Sequence, residues 1–354
     1  MTKVSRREFA ALSGVGALSL TASSAQTNAP HASPSAEFDP LPFVHPEIRP
    51  FIGPLLAMSG TRLTNLDELH KARRSPAFSP PEPAAQPLWQ ERIVPGHSGH
   101  PDVKVYVINA GKTGTLRPII IDMHGGGFIV GSARDSIASL QALSQKLDCI
   151  IVTVEYRLAP ETRFPGALED NYAALKWAYT HAEALGGDKA RIAVMGGSAG
   201  GGHAAMLAIA ARDRGEVPII FQALTYPMLD DRTGSTVQKP RHQGAILWQP
   251  ESNRFGWSSL LGVPAGSAHV PAGSVPAREE NLKGLPPTFI GVGAIDLFLD
   301  EDIDYAQRLM AAGVMTELVV VPGGFHGFGL FKQTRVVQQY ENHYVNVLRR
   351  ALAG

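Results

Sequence analysis

The sequence contains a single cysteine, so no disulfide bond can form within the chain. That residue, Cys149, lies in the apolar run CIIVTV, where a buried structural thiol is expected. An excess of charge is also absent, because 32 Lys and Arg residues balance 32 Asp and Glu residues. This balance gives no electrostatic reason to expect nucleic acid as a partner and favours a small neutral substrate. Nothing in the sequence specifies an oligomeric state.

Long hydrophobic runs are likewise missing. The apolar stretch from Phe9 to Leu20 is too short to span a bilayer, and no integral membrane segment is predicted elsewhere. The stretch follows the string SRREF, with paired Arg6 and Arg7, and resembles a twin-arginine export signal with cleavage after Ala25. We therefore expect residues 1–25 to be a signal peptide, residues 26–40 a linker, and the protein to be periplasmic or secreted. A basic tail ahead of a short helix is the alternative.

Strand-length apolar runs alternate with helical segments over most of the remaining chain. Several runs are continuously apolar, which is typical of strands covered on both faces. The predicted strands are Val103–Ile108, Ile119–Met123, Cys149–Val154, Ile192–Met195, Ile219–Leu224, Thr288–Val292 and Leu318–Val321. The predicted helices are Asp170–Leu185, Ala199–Arg212, Glu301–Ala312 and Val336–Leu352. This alternation predicts an α/β fold with a mostly parallel, doubly wound sheet.

Two regions interrupt the alternation. The first, before the strands, holds helical fragments such as TRLTNLDELHKA, in which Leu63, Leu66 and Leu69 are spaced three apart along one face. The second, from Asp230 to about Arg278, is rich in Gly, Pro and Ser. We interpret the first as part of a lid and the second as an insertion over the functional site.

A glycine-flanked serine follows one of the predicted strands. Ser198 lies in the pattern G-x-S-x-G with Gly196 and Gly200, after the strand RIAVM and before the helical run AGGGHAAMLAIAA. The small neighbours allow the tight strand-to-helix turn that holds a nucleophile in a strained conformation. A plain glycine turn is the alternative, but the position between strand and helix favours an activated nucleophile.

A second glycine-rich motif, HGGGF from His124 to Phe128, also follows a strand. Backbone amides of Gly125 and Gly126, together with that of Ala199, are expected to form an oxyanion hole for a negatively charged carbonyl oxygen. A turn that serves only chain reversal is the alternative. We expect His124 to fix the loop by a hydrogen bond rather than to act as a base.

A serine nucleophile needs a base, and the base needs a carboxylate that orients it. Asp296 follows the strand TFIGVGA and His326 follows ELVVVPGGF, so both should emerge at the same sheet edge as Ser198. We predict Ser198, Asp296 and His326 as the catalytic residues. The competing carboxylates Asp300, Asp302 and Asp304 lie at the start of a predicted helix, where a capping or surface role is expected.

The remaining histidines suggest no metal site. His97 and His100 form an H-x-x-H pair, but no further ligands lie nearby in the sequence. His203 lies on the helix after Ser198 and is expected to be packed or solvent-facing. We therefore predict no metal site.

Five ordered motifs together resemble the bacterial hormone-sensitive-lipase family of esterases, which has the α/β-hydrolase fold. The motifs are HGGGF, EYRLAPE followed by FPGALED, GGSAGG, LPPTFIGVGAIDLFLDED and HGF, and the resemblance runs from about Arg92 to Leu352. It implies a carboxylesterase that acts on short to medium acyl chains without a cofactor, with Ser198, Asp296 and His326 as nucleophile, acid and base. It also implies a cap built from about residues 41–95 and 231–281 within a domain of residues 41–354.

The chain departs from the family pattern at two positions. Gly197 precedes the nucleophile where the family usually has Asp or Thr, and Leu297 follows Asp296 where the family usually has proline. Neither change removes a catalytic group. The alternatives to an esterase are an amidase, a peptidase or a carbohydrate deacetylase on the same fold, and a binding protein that has lost catalysis.

Overall fold

The computed structural model describes residues 38–58, 62–74, 80–112 and 114–353. The predicted signal peptide, residues 1–25, lies outside the described residues, as does most of the predicted linker, residues 26–40. The chain from Asp39 onward forms one unit. In the described part of the chain, no helix is both long and apolar enough to cross a membrane.

One sheet of eight strands organises this unit, in the order β1-β2-β4-β3-β5-β6-β7-β8. The strands are β1 (Trp89–Val94), β2 (Val103–Ile108), β3 (Arg117–Met123), β4 (Ile150–Glu155), β5 (Gly187–Gly197), β6 (Phe221–Thr225), β7 (Thr288–Gly293) and β8 (Thr316–Val321). The strands from β3 onward pair in parallel, whereas β2 pairs antiparallel with both β1 and β4. The predicted mostly parallel α/β sheet is confirmed, and all seven predicted strands belong to it.

Nine α-helices accompany the sheet in the described ranges. They are α1 (Gly53–Met58), α2 (Leu66–Arg74), α3 (Ile137–Leu147), α4 (Gly166–Thr180), α5 (Ala182–Leu185), α6 (Ala199–Arg214), α7 (Pro250–Leu261), α8 (Leu299–Ala311) and α9 (Arg335–Ala353). Helices α3 and α9 pack on one face of the sheet, while α4, α6 and α8 pack on the other. Each face thus has its own apolar core, which is why the central strands are apolar throughout.

The predicted helix Asp170–Leu185 differs from the structure at both ends. Helix α4 begins earlier, at Gly166, and stops at Thr180, since His181 leaves the helical conformation before α5 begins. Gly186 then ends α5 in the left-handed conformation, where a Cβ would lie 2.2 Å from the carbonyl oxygen of Gly111. Only glycine fits this turn into β5.

The N-terminal part of the predicted cap, residues 41–95, extends too far. Trp89–Val94 is strand β1, paired with β2 at the edge of the sheet, so these residues belong to the sheet and not to a cap. The strand was not predicted because most of WQERIV is exposed and the segment carries no apolar run. The predicted leucine face also fails: Leu63 precedes helix α2, and Leu66 is 50% exposed, whereas Leu69 is buried.

The second part of the predicted cap, residues 231–281, lies between β6 and β7. It contains helix α7, which its Gly, Pro and Ser content did not predict. A Cβ on Gly256 of this helix would lie 2.5 Å from the carbonyl oxygen of Gly127, in the loop after β3. The helix backbone therefore rests directly on the HGGGF loop.

An ion pair joins two of the motifs identified in the sequence. The Arg157 guanidinium of EYRLAPE donates to both carboxylate oxygens of Asp170 in FPGALED, at 2.7 to 3.0 Å, and the Arg157 amide donates to Asp170 at 2.9 Å. Asp170 is buried, so this pairing satisfies a carboxylate that water cannot reach. It fixes the segment after β4 against helix α4.

Candidate active site

Ser198 lies in the sharp turn between β5 and α6. Its φ of 58° and ψ of −125° are strained for a residue with a side chain, at a cost of about 1–3 kcal/mol. The turn is held by the Ser198 amide, which donates to the Thr225 carbonyl at 2.9 Å, and by the Ser198 carbonyl, which accepts from the Met228 amide at 3.0 Å. A Cβ on Gly196 would lie 2.3 Å from the Gly200 carbonyl, so the glycine is sterically required. The serine hydroxyl is consequently presented at the carboxyl end of the sheet.

The three predicted catalytic side chains meet at this end of the sheet. The Nε2 atom of His326 lies 2.9 Å from the Ser198 Oγ atom, and its Nδ1 atom lies 3.0 and 3.2 Å from the two Asp296 oxygens. A carboxylate can only accept, so Nδ1 carries the imidazole proton and Nε2 is free to accept from the serine hydroxyl. Phe298 completes the environment of Asp296 by donating its amide to Oδ1 at 3.0 Å.

Two aromatic residues orient the His326 ring. Tyr226, directly after β6, meets it edge-on at 4.8 Å between ring centroids, and Phe298 does so at 5.1 Å. Tyr226 has a φ of 35°, and its amide donates to the Gly291 carbonyl at 2.6 Å. Neither residue was predicted, since single aromatic residues in loops carry no local signal of a contact with a distant histidine.

The HGGGF loop places unpaired amides beside the serine. A Cβ on Gly125 would lie 3.5 Å from the Ser198 Cβ atom, so the two backbones nearly touch. Within the described residues, the amides of Gly125, Gly126 and Ala199 donate to no protein acceptor. The Gly126 carbonyl accepts from Ile129 and Val130, which folds the loop into a compact turn. These three donors are therefore open to an acceptor on a bound molecule.

A protein-family profile for the alpha/beta hydrolase fold matches residues 120–330 of this chain. The chain belongs to the α/β-hydrolase family. The matched range holds the HGGGF loop, Ser198, Asp296 and His326. The resemblance to hormone-sensitive-lipase-type esterases that the motifs predicted is confirmed.

Curated relatives and solved structures agree with this assignment. Carboxylesterase NlhH of Mycobacterium tuberculosis is 35% identical over 289 residues, which are 80% of this chain and 89% of the relative. Esterase LipI of the same organism is 32% identical over 80% of this chain and 88% of its own length. The structure called Bacterial Heroin Esterase superposes with a TM-score of 0.77 at 34% identity, covering 88% of this chain and 99% of that chain.

The two departures from the family pattern have structural counterparts. A Cβ on Gly197 would approach only Tyr226 Cε2, at 3.6 Å, and the Thr225 carbonyl, at 3.9 Å, so the position has room for a small side chain. Leu297, where proline is usual, is buried, and its Cδ1 atom lies 2.9 Å from a Cβ placed on Gly244. The leucine therefore ties the Asp296 loop to the insertion before β7.

His124 supports the HGGGF loop from below. Its Nδ1 atom donates to the Gly125 carbonyl at 2.7 Å, and the Tyr156 hydroxyl donates to the His124 carbonyl at 2.7 Å. The two rings stack at 4.2 Å between centroids. This agrees with the expectation that His124 fixes the loop, and it gives Tyr156 of the EYRLAPE motif a place in the same support.

His203 completes this buried aromatic group and is packed rather than solvent-facing. It lies edge-on to Phe128 at 5.0 Å and to Tyr156 at 4.5 Å between centroids. Neither of its ring nitrogens has a hydrogen-bond partner among the described residues. Burial lowers the pKa of His203 to about 3, helped by nearby His124, and burial lowers the pKa of His124 to about 4. Both imidazoles are therefore neutral across the physiological range.

The carboxylates after Asp296 do not all have the surface role expected of them. Asp300 is largely exposed and pairs with Lys239 at 2.8 Å, and Asp304 is also exposed. Asp302, in contrast, is 0% exposed, and burial beside Glu301 and Asp296 raises its pKa well above the ordinary value. The expectation for Asp302 was wrong, because its position on α8 points into the core rather than along the helix surface.

The other polar residues considered in the sequence have structural contacts. His97 lies 4.0 Å from Glu169, and His100 lies 3.2 Å from the Arg157 guanidinium. Across the described ranges, no group of three or more His, Cys, Asp or Glu residues is arranged to hold a metal ion. Cys149 is buried, and burial raises the pKa of its thiol to about 12.

The buried neutral histidines predict acid sensitivity of the fold. Below pH 6.5 a histidine binds a proton in the unfolded chain, whereas buried His203 stays neutral in the folded protein until the pH approaches about 3. The free energy of unfolding therefore falls as the pH is lowered through this range. Replacing His203→Leu removes one such group. When the pH is lowered from 7.5 to 5, the free energy of unfolding of the wild type should fall by about 2 kcal/mol more than that of the variant, as measured by urea denaturation at both pH values.

The matched control is His269→Leu, since His269 is exposed on the insertion. Its stability difference from the wild type should stay constant over this pH range. An equally constant difference for His203→Leu would contradict the assignment of a depressed pKa to His203.

Proposed function

We propose that this protein hydrolyses carboxylic esters through an acyl-enzyme on Ser198. The observation that carries the proposal is the continuous hydrogen-bonded chain from Ser198 Oγ through His326 to Asp296, with the free amides of Gly125, Gly126 and Ala199 beside the hydroxyl. In this proposal Ser198 is the nucleophile, His326 the base and Asp296 the carboxylate that orients it. The three amides are the oxyanion donors. The relatives named as carboxylesterase and esterase support the same reaction.

The reaction follows from these positions. As Ser198 Oγ attacks the carbonyl carbon, His326 Nε2 takes the hydroxyl proton, and the oxygen that becomes negative accepts hydrogen bonds from the loop amides. His326 then gives the proton to the departing alcohol. In the second half, His326 deprotonates a water molecule that attacks the acyl carbon and returns the proton to Ser198. Asp296 keeps the ring oriented and stabilises its charged form. These steps use only protein groups and water.

The proposed substrates are small neutral esters with short to medium acyl chains. The balanced charge of the sequence supports a neutral substrate, and a relative of Pseudomonas putida that is 33% identical over 59% of this chain is named ethyl acetate hydrolase. The amidase, peptidase and deacetylase alternatives are less favoured, because NlhH and LipI, each similar to this chain over 80% of its length, carry esterase names. A binding role without catalysis is disfavoured by the complete set of catalytic groups.

Ester and amide substrates separate these functions. The wild type should hydrolyse p-nitrophenyl butyrate and leave the matching anilide largely intact, and Ser198→Ala should lower kcat by at least about a thousandfold. The matched control is Ser139→Ala, since Ser139 is an exposed residue of helix α3. Absence of ester turnover in the wild type would contradict the proposal. Turnover that survives in Ser198→Ala would assign the nucleophile to another residue.

We further propose export of the protein to the periplasm or beyond through the twin-arginine-like signal of residues 1–25. Replacing both Arg6→Lys and Arg7→Lys should retain the protein in the cytoplasmic fraction, because the arginine pair is the recognised element of such signals. Arg349→Lys with Arg350→Lys, an exposed pair on helix α9, is the control. An unchanged distribution of the Arg6 and Arg7 variant in cell fractions would exclude this export route.

A further inference from the structure

One short segment of the insertion contacts three of the loops that carry the proposed catalytic groups, those of Asp296, His326 and HGGGF. We call residues Gly244–Trp248 the strap. At its start, a Cβ on Gly244 would lie 2.9 Å from Cδ1 of Leu297, next to Asp296. Further along, Leu247 Cδ2 lies 2.7 Å from a Cβ placed on Gly327, next to His326. At its end, Trp248 Cη2 lies 2.1 Å from a Cβ placed on Gly127 of the HGGGF loop.

The strap turns sharply at Leu247. The Trp248 amide donates to the Ile246 carbonyl at 2.8 Å, which makes a three-residue γ-turn, and Leu247 at its centre has a φ of 64°. This conformation is rare and strained for a leucine. Nothing in the local sequence favours it, so the neighbours of the turn must hold it. As a result, the adjacent side chains of Leu247 and Trp248 contact different loops: Leu247 contacts the His326 loop and Trp248 contacts the HGGGF loop.

Buried contacts on both sides of the turn hold it in place. Ile246 is buried, and the Trp248 indole nitrogen donates to Asn253 Oδ1 at 3.1 Å. Asn253 is itself buried and donates to the Thr233 carbonyl at 2.8 Å. The indole is therefore fixed by a hydrogen bond as well as by packing.

The proposed reaction places the two halves of an ester beside these side chains. The alcohol oxygen must lie next to His326 Nε2, since that nitrogen supplies its proton, and Leu247 contacts the same loop at Gly327. The carbonyl oxygen must lie at the amides of Gly125 and Gly126, and Trp248 contacts the following residue, Gly127. An ester bound between the two loops therefore has the strap along its length.

We propose that the strap determines substrate size, with Leu247 limiting the alcohol group of the ester and Trp248 limiting its acyl group. This inference rests on the proposed esterase function. A rigid wall suits this role, because a strained turn held by buried contacts cannot move aside for a larger group at low cost. Leu247 is partly buried and Trp248 is 9% exposed, so neither is a solvent-facing residue.

Two substrate series test the division of roles. One varies the acyl chain as p-nitrophenyl acetate, butyrate and octanoate, and the other varies the alcohol as ethyl, butyl and benzyl acetate. Leu247→Ala should raise the kcat/KM ratio of benzyl to ethyl acetate at least about tenfold and leave the acyl series unchanged. Trp248→Leu should raise the ratio of octanoate to acetate by a similar factor and leave the alcohol series unchanged.

Controls and second variants keep the test decisive. Leu116→Ala and Trp177→Leu make the same changes far from the site. Leu116 is half-exposed beside β3, and Trp177 is partly buried on α4. These controls should change neither the benzyl-to-ethyl ratio nor the octanoate-to-acetate ratio. Leu247→Gly removes the side chain and relieves the positive φ, and Trp248→Phe preserves most of the packing, so these serve where the first variants fold poorly.

The outcomes separate the two proposals. If the wild type fails to hydrolyse p-nitrophenyl acetate, the esterase function itself is wrong. The strap proposal is wrong if the wild type hydrolyses the ester but each variant changes kcat/KM by the same factor for every substrate. It is also wrong if Leu247→Ala alters the acyl series and Trp248→Leu alters the alcohol series.

Discussion

The strained turn at Ser198 is the constraint on which the rest of the site depends. Its φ of 58° is retained because β5, α6 and the segment after β6 all bond to or pack against the same few backbone atoms. A Cβ on Gly200 would lie 2.0 Å from the Met123 carbonyl, so the start of α6 is also in contact with the end of β3. This close approach brings the HGGGF loop, which follows β3 directly, to the serine. Ser198 and the HGGGF loop are thus held together by the same packing contact.

Around this turn the protein uses buried, neutral aromatic groups where charged ones would be costly. His124, Tyr156 and His203 lie beside the HGGGF loop, and Tyr226 and Phe298 lie against the His326 ring. Such groups hold a loop rigid without introducing a charge that would compete with the one developing on the substrate. The same arrangement makes the site dependent on the protonation of its supports.

The parts of the structure that were predictable are those with strictly local requirements. Glycines at 125, 126, 196 and 200 satisfy backbone demands that can be recognised from a few adjacent residues, and the order of strands then places Asp296 and His326. Strand β1, the buried Asp302 and the Leu247 turn were not predictable. Each depends on contacts between segments far apart in the sequence. Strand β1 is largely polar and Asp302 is a carboxylate, so neither has the apolar character that predicts a strand or a buried position. Long-range packing, rather than local propensity, decides these positions.

Covalent labelling tests the central claim most directly. An organophosphate such as diethyl p-nitrophenyl phosphate transfers its phosphoryl group to an activated serine and releases one nitrophenolate per site. We expect one diethylphosphoryl group per chain, detected by intact mass and located on Ser198 by peptide mapping, with labelling greatly slowed in His326→Ala. A label on a different residue, or loss of esterase activity without any label on Ser198, would contradict it.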